Sequence, residues 1–267
     1  MTPDLEALKS AETFWNVAAD TYEQKFSGTI VGQIRRRVTW RELERAFKPG
    51  ESVLELNCGT GIDAVYLGTR NISVTAFDLS PKMIALARDH AKAINPISHP
   101  RFEVLATENL DTLEVGPFDG AFSNFSGLNC VDNLGDVSRD VARLLRPQGR
   151  FLICMMGRFV PVEIIWFLLH GKPRRAFSRM LPRRLSGDGP LVIQRPTVHH
   201  IALQMRTHFR LVQWRGAGIT VPPSYAEKMA IRIPRIMAIL AVLDQRVGHL
   251  PLIRSMADCV ILEFEKI

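Results

Sequence analysis

The sequence has few cysteines, and their spacing predicts neither a disulfide framework nor a metal site. The chain of 267 residues has four cysteines and no Cys-x-x-Cys pair. This usage is typical of reduced, mostly buried thiols in a cytosolic protein. The sequence also lacks His-x-x-x-His, and its acids are dispersed, so we expect no bound metal.

Long apolar runs and an apolar basic leader are also missing. The apolar run at residues 164–169 is far too short to span a bilayer. The first six residues are acidic and polar, so we expect no signal peptide. Both observations favour a cytoplasmic protein.

What is present is the composition of a globular enzyme with an uneven positive charge. Hydrophobic residues make up 46% and charged residues 23% of the chain, as in ordinary folded domains. The net charge of +7 permits attraction to nucleic acid, anionic lipid or an anionic small substrate. Much of it lies between Arg158 and Arg184, where Glu163 is the only acid.

After residue 50 the pattern alternates between strands and helices. We predict strands at residues 52–57, 72–78, 102–105, 118–124, 150–156, 209–215 and 259–264. We predict helical structure at residues 5–47, 60–68, 80–93, 133–145, 196–208 and 227–248, the last interrupted by Pro234. Such alternation predicts a parallel sheet with helices on both faces. The late position of the last strand suggests an edge hairpin with residues 209–215.

A glycine-rich turn between the first strand and its helix is the most informative motif. Residues 53–61 read Val-Leu-Glu-Leu-Asn-Cys-Gly-Thr-Gly, and Asp78 ends the next predicted strand. Backbone can approach a nucleoside at such glycines, and the carboxylate can accept its ribose hydroxyls. Because Gly59 to Ala64 also satisfies Gly-x-Gly-x-x-Ala, an NAD enzyme and an S-adenosylmethionine enzyme both fit this motif.

The wider pattern resembles the class I S-adenosylmethionine-dependent methyltransferases of the ubiquinone-biosynthesis type. The resemblance rests on the glycine turn, on residues 76–83 (Ala-Phe-Asp-Leu-Ser-Pro-Lys-Met), on residues 118–125 (Phe-Asp-Gly-Ala-Phe-Ser-Asn-Phe) and on residues 144–150 (Leu-Leu-Arg-Pro-Gln-Gly-Arg). Residues 14–23 also look like the family's helix that covers the cofactor. The resemblance implies a Rossmann-like, doubly wound, seven-stranded and mostly parallel sheet with an inserted cap.

The resemblance also implies S-adenosylmethionine as the cofactor, S-adenosylhomocysteine as its product, and a set of residues that bind the cofactor. Asp78 would accept both ribose hydroxyls, Leu79 and Met83 would flank the adenine, and Tyr22 would close over the site or simply pack in the core. The expected cofactor-binding set is Tyr22, Glu55, Asn57, Cys58, Gly59, Thr60, Gly61, Asp78, Leu79, Met83, Thr107, Glu108, Asn124, Phe125 and Asn129, with Leu128 and Asn129 facing the transferred methyl group.

Two positions depart from the family's pattern. Asn57 replaces the first glycine of the motif, and asparagine tolerates left-handed backbone better than most residues. We therefore expect an intact but locally rearranged pocket. Ala106 stands where the family usually has an acid for the adenine amine, so either Glu108 or the backbone at Thr107 would read the base.

Candidates for a catalytic base are few. They are His199, His200 and Tyr225, with His170 as a further histidine, and the adjacent histidines cannot both face one site. A base is needed only if the nucleophile must lose a proton. The segment after residue 122 lacks the proline pair of nucleic-acid amino-methylating enzymes of this fold, which disfavours a nucleic-acid substrate.

Residues 159–184 combine an apolar stretch with a cluster of arginines and lysine. This segment is either a plain lid or a contact with an anionic membrane at the inner face. We predict an N-terminal helical cap at residues 1–50, a cofactor-binding core at 51–156, a cap insertion at 157–195 and the end of the fold at 196–267. The predicted function is methyl transfer to a small-molecule or lipid-like acceptor; the alternatives are an NAD-dependent dehydrogenase, an RNA methyltransferase and a non-catalytic binding protein.

Overall fold

The computed structural model describes residues 5–181 and 192–267 of the chain. Seven strands form one sheet in the order β3-β2-β1-β4-β5-β7-β6. Strand β7 runs antiparallel to both of its neighbours, and all other neighbouring strands are parallel. The predicted mostly parallel sheet and the antiparallel pairing of the last two strands are confirmed. The strands are β1 (Ser52–Leu56), β2 (Ser73–Asp78), β3 (Arg101–Val104), β4 (Phe118–Ser123), β5 (Leu145–Met156), β6 (Phe209–Ala217) and β7 (Cys259–Lys266).

Ten α-helices are found in the described residues, and short 3₁₀ turns supplement them. Several start as the sequence predicts: Ser80 caps the fourth helix with Pro81 in its first turn, and Pro234 opens the last helix. None of them is both long and apolar enough to cross a bilayer. The helices are α1 (Leu5–Tyr22), α2 (Ile30–Ala46), α3 (Ile62–Gly68), α4 (Pro81–Ile94), α5 (Leu134–Leu144), α6 (Pro161–Leu169), α7 (Pro173–Ala176), α8 (Val198–Met205), α9 (Glu227–Arg232) and α10 (Pro234–Val247).

Helices cover both faces of the sheet, and the alternation of side chains along β1 shows how. Leu54 and Leu56 lie in a core cluster with α5 and α8, whereas Val53 lies in a second cluster with α2, α3 and α4. All three side chains are fully buried. A central strand apolar on both sides is what a sheet covered on both faces requires.

The end of α5 differs from the prediction. Pro147 and Gly149 were expected to form a turn before a strand starting at Arg150, but β5 already begins at Leu145, which pairs with Phe118 of β4. The register between these strands shifts before Gly120. The irregularity lets the proline-containing segment enter the sheet at the start of the strand, a position where proline is tolerated.

The order of the strands places a crevice at the centre of the sheet. The chain leaves β1 toward β2 and β3 on one side, and continues with β4 on the other side of β1. Helices therefore diverge at the carboxyl ends of β1 and β4, which is where open α/β sheets bind ligands. Asn57, Asp78 and Asn124 directly follow or end the three strands at this edge.

A buried ionic network ties helix α6 and the segment after α7 to α2 and the start of β7. Arg179 donates to both carboxylate oxygens of Glu163 at 2.8 and 2.6 Å and to Asp258 at 2.5 Å. Arg35 of α2 pairs with the other oxygen of Asp258 at 2.6 Å. Although burial acts to raise it, Arg35 and Arg179 hold the pKa of Asp258 below its ordinary value. The network joins α2, α6, β7 and the segment after α7.

Replacing Arg179 with methionine should increase local opening of α6 and α7. Glu163 would lose its ionic partner while Asp258 keeps Arg35, so we expect a loss of about 2 kcal/mol, in the range of hydrogen bonds to charged groups. Hydrogen exchange should then accelerate in α6 and α7 and leave α4 unchanged. The matched control is Arg174→Met, since Arg174 is exposed nearby; equal acceleration in both variants would contradict the role of the network.

Candidate functional site

The glycine turn after β1 is built from backbone in the left-handed region. Asn57, Gly59 and Gly61 have φ angles of 54°, 53° and 71°. A Cβ atom on Gly61 would lie 2.6 Å from the Cβ of Ala87 and 2.8 Å from the ring of Phe102, so only glycine fits between α4 and β3. The expected left-handed geometry of Asn57 is confirmed.

Asp78 holds this turn to the end of β2. Its two carboxylate oxygens accept hydrogen bonds from the backbone N–H groups of Gly59 at 2.8 Å and Ser80 at 2.9 Å. The side chain is buried, and burial raises its pKa even though both N–H groups act to lower it. Each oxygen has a remaining lone pair for a further donor.

The side chain of Asn57 occupies space that a glycine would leave open. Its Nδ2 donates to Oγ1 of Thr107 at 2.9 Å, and its Oδ1 accepts from Oγ of Ser123 at 3.3 Å. A Cβ atom on Gly127 would lie 2.3 Å from the Cβ of Asn57. Asn57 thus links β1 to β4 and to the segment after β3, and Gly127 provides the room.

Gly127→Ala should destabilise the chain by about 2 kcal/mol, as overpacking of a filled site usually does. In an Asn57→Gly background the same substitution should cost almost nothing, because the clashing side chain is gone. Denaturant unfolding of the two single variants and the double variant measures this coupling. An equal cost of Gly127→Ala in both backgrounds would contradict the packing described.

Helix α1 closes the cavity from the side opposite the sheet. Oδ1 of Asn16 accepts from Oγ of Ser80 at 2.6 Å, and Asp20 pairs with Lys82 at 2.7 Å, so α1 is docked on the start of α4. The cavity-lining residues of α1 are Leu8, Ala11, Trp15 and Tyr22. Burial raises the pKa of Tyr22 to about 12, so its phenol is neutral at physiological pH.

A buried ion pair forms a wall that sequence reasoning did not identify. Arg36 of α2 pairs with Asp63 of α3 at 2.5 Å, and both line the cavity. Asp63 also accepts hydrogen bonds from Trp40 at 2.6 Å and Asn124 at 3.0 Å. The guanidinium of Arg36 lies 4.6 Å from the ring centroid of Phe125. The helical spacing of Val31, Ile34 and Val38 indicates burial of Arg35, whereas it gives no such signal for Arg36.

Glu55 is the second buried acid of the cavity. It is 1% exposed, and its Oε2 has no hydrogen-bond partner. Burial, followed by repulsion from Asp63, raises its pKa well above the ordinary value. An unpartnered buried carboxylate oxygen at a cavity wall marks a position where a ligand can donate a hydrogen bond.

The structure brings nearly all predicted cofactor-binding residues to this one cavity. The exceptions are Gly61, which is the N-cap of α3, and Asn129. The side chain of Asn129 donates to the Gln194 carbonyl at 2.5 Å and accepts from the Met156 N–H at 2.9 Å. The predicted residues that line the cavity are Tyr22, Glu55, Asn57, Cys58, Gly59, Thr60, Asp78, Leu79, Met83, Thr107, Glu108, Asn124 and Phe125.

The candidate bases do not line the cavity. His199 and His200 are exposed at the start of α8, and only His200 lines a separate cleft, with Arg158 and Arg195. Tyr225 stacks on Phe167, with ring centroids 5.1 Å apart. Burial and the Glu163 carboxylate raise the pKa of Tyr225 well above its ordinary value, which opposes loss of its proton. His170 stacks on Trp166 at the end of α6.

The basic residues of the segment 159–184 differ in their surroundings. Lys172, Arg174 and Arg175 are exposed, whereas Arg179 is buried in its ionic network. Arg183 and Arg184 lie outside the described residues. In the part of the chain that is described, no three His, Cys, Asp or Glu side chains are close enough together to hold a metal ion.

Comparison with known proteins assigns the fold around this cavity. Residues 53–149 match the family model described as "Methyltransferase domain". Over these residues the chain is similar to methyltransferase domains. The match covers the glycine turn, Asp78 and the strands up to the start of β5, and it confirms the resemblance seen in the sequence motifs.

Relatives and a solved structure agree with this assignment. The chain is 29% identical over 133 residues to a demethylmenaquinone methyltransferase of Tropheryma whipplei, covering 48% of this chain and 52% of that protein. It is 29% identical over 134 residues to a ubiquinone biosynthesis O-methyltransferase of Xanthomonas oryzae, covering 50% and 53%. The chain thus spans about half the length of these relatives. A geranyl diphosphate C-methyltransferase from Streptomyces coelicolor matches in fold over 100% of both chains, with a TM-score of 0.62 and 15% identity.

Proposed function

We propose that the chain transfers a methyl group from S-adenosylmethionine to a small-molecule or lipid-like acceptor. The observation that carries the proposal is the position of Asp78. It ends β2, holds the glycine turn through the Gly59 N–H, and lines a cavity formed at the carboxyl ends of β1, β2 and β4. A nucleoside bound there would meet a carboxylate whose remaining lone pairs can accept both ribose hydroxyls.

The charges of the cavity fit the rest of S-adenosylmethionine. Its methionine part carries an ammonium and a carboxylate group, which need an acceptor and a cation. The unpartnered Oε2 of Glu55 is a suitable acceptor for the ammonium, and Arg36 is a suitable cation for the carboxylate. Near the turn, the backbone of Gly59 leaves open space because no atom lies within 4 Å of an added Cβ.

The other end of the cavity fits an adenine ring. Leu79 and Met83 provide apolar walls on one side of it. Thr107 and Glu108 both line the cavity as well, so the exocyclic amine can donate to the Glu108 carboxylate or to the backbone at Thr107. Burial raises the pKa of Glu108, and an amine donor would favour its charged form.

Catalysis would consist mainly of alignment. When bound, S-adenosylmethionine would supply an electrophilic methyl carbon: the acceptor atom would bond to it in line as the carbon–sulfur bond breaks, with S-adenosylhomocysteine as the leaving group. The chain's own contribution is to fix the two reactants at reacting distance and to exclude water with α1. We infer no base from Tyr22, since burial keeps its phenol protonated.

The acceptor end of the site is aromatic. The ring of Phe26 lies 5.1 Å from that of Phe125 and 5.8 Å from that of Tyr22. These three rings therefore form an apolar surface next to the charged side of the cavity, where the methionine part of the cofactor would bind. Such a surface suits a planar ring or a prenyl chain, and the relatives are named demethylmenaquinone methyltransferase and ubiquinone biosynthesis O-methyltransferase. A cap built from α1 and the described residues 157–181 would cover the acceptor.

Transfer of a labelled methyl group tests the proposal. The purified chain would be incubated with methyl-labelled S-adenosylmethionine and, separately, a prenylated catechol, a demethylated quinol and a prenyl diphosphate. We expect label in an organic-extractable product with at least one acceptor, and loss of that label in Asp78→Asn. Cofactor binding without transfer to any of these acceptors would instead favour the non-catalytic binding protein.

The alternatives make different predictions. An NAD-dependent dehydrogenase would use the same turn, but the methyltransferase names of the relatives support the methyl-transfer proposal over it. An RNA methyltransferase would bind RNA with an affinity that falls steeply with salt. Contact of residues 159–184 with an anionic membrane stays a prediction, carried by Lys172, Arg174 and Arg175 but not by the buried Arg179.

A further inference from the structure

Helix α10 has an exposed apolar face that the fold leaves uncovered. Its inner face packs through Met237 and Leu240 onto α2, and the buried Asp244 accepts from the N–H groups of Gly218 and Ile219. The outer face carries large apolar side chains one helical turn apart. Their exposed fractions are 51% for Ile236, 66% for Ile239, 50% for Val242 and 44% for Leu243.

The stretch of chain that contains this face has basic but no exposed acidic side chains. Arg235 and Arg246 are exposed at the two ends of α10, and Arg232 is exposed at the end of α9. In the whole stretch from residue 228 to 257 the only acid is Asp244, which is 0% exposed. The stretch therefore presents no acidic side chain to solvent.

Helix α6 likewise exposes apolar side chains but no acid, and it lies close to the segment that leads into α9. Phe167 of α6 stacks on Tyr225, which directly precedes α9. Leu168 and Leu169 are 46% and 80% exposed. The acid of α6, Glu163, is 6% exposed and bonded to Arg179.

We propose that the outer face of α10 docks on an anionic lipid surface. Apolar side chains flanked by arginines, with no exposed acid to repel phosphate, are what an interfacial helix requires. A second copy of the chain fits less well, because Arg235 and Arg246 would meet like charges across the contact. This docking goes beyond the proposed methyl transfer, because it would hold the protein at a membrane, where a lipid-like acceptor resides.

Flotation with vesicles tests this docking with matched variants. Wild type should float with phosphatidylglycerol-containing vesicles and stay behind with pure phosphatidylcholine. Arg235→Gln/Arg246→Gln should weaken binding roughly 30-fold, because each basic side chain contributes about 1 kcal/mol near an anionic surface. Ile236→Gln/Ile239→Gln should lose binding about tenfold or more, since buried apolar area is removed.

The controls are Arg101→Gln/Arg206→Gln and Ile94→Gln/Ile97→Gln, which alter exposed residues elsewhere and should bind like wild type.

Several outcomes would overturn the proposal. They are absence of vesicle binding by wild type, α10 variants that bind like wild type, and controls that fall equally. A wild-type dimer in analytical ultracentrifugation that Ile236→Gln/Ile239→Gln dissociates would make α10 a self-interface instead. Calorimetric binding of S-adenosylmethionine should be unchanged in all four variants, so failure of membrane docking is separable from failure of the methyl-transfer proposal.

Discussion

Replacing Asp63 with asparagine should cost about 3–5 kcal/mol of unfolding free energy, the range seen when one partner of a buried ion pair is removed. Arg36 would remain buried with its charge uncompensated, because its other side-chain hydrogen bond is to the neutral Ser27 at 3.2 Å. The new amide would also present a donor toward groups that already donate to it, including Trp40 and Asn124. Denaturant unfolding measures the loss.

Two variants separate the ion pair from a general effect of lost charge. Asp136→Asn removes an exposed partner of Arg139, at 2.8 Å, and should cost less than about 1 kcal/mol. Arg36→Met combined with Asp63→Asn should recover part of the loss of Asp63→Asn alone, because no buried charge is left unpaired. A double variant less stable by the sum of both single losses would contradict this interpretation.

Replacing Asp78 with alanine should weaken S-adenosylmethionine binding by about 3 kcal/mol, which is about 100-fold in Kd. The ribose hydroxyls would lose their acceptor, and the Gly59 and Ser80 N–H groups would lose theirs, so the turn itself would shift. Titration calorimetry measures the change. Asp111→Ala, at an exposed position, should bind like wild type, and unchanged affinity in Asp78→Ala would mean that the ribose lies elsewhere.

The same carboxylate gives the binding a pH dependence. Burial raises the pKa of Asp78 from the value of 3.8 for an ordinary aspartate. Ribose hydroxyls donate to the charged form, so affinity should be complete above the raised pKa and fall as the pH drops through it. We therefore expect acid to weaken cofactor binding at a higher pH than an exposed aspartate would produce. Asp78→Ala should reduce this dependence and leave the part that is due to Glu55 and Glu108, whose pKa values burial also raises.

The sheet and most residues of the cavity wall could be predicted because local signals agree with the fold there. The glycine turn, Asp78 and Asn124 all stand at strand ends, and parallel strands bring their carboxyl ends to one edge. Strand β5 was predicted too late in the chain, since Pro147 and Gly149 are turn formers by composition. Only Leu145 pairs with β4 before the turn, through a tertiary contact with Phe118; pairing resumes at Arg150, where the strand was predicted to start.

Long-range contacts explain what sequence reasoning missed. Arg36 and Asp63 are far apart in the chain and meet only because α2 lies on α3's face of the sheet. The fit of Asn57 against Gly127 likewise depends on the distance between β1 and the segment after β4. The sequence also could not predict where the His200 side chain lies. It lines a separate cleft because of the direction in which the chain enters α8.

The measurement that tests the central claim most directly is titration calorimetry of the purified chain with S-adenosylmethionine, S-adenosylhomocysteine and NAD in parallel. The structure of the cavity predicts micromolar binding of the first two and none of NAD. Binding of NAD alone would contradict the proposed function and make the chain a dehydrogenase. No binding of any of the three would contradict the assignment of Asp78, Glu55 and Arg36 to a cofactor, with Asn57→Gly as the first variant to test for its recovery.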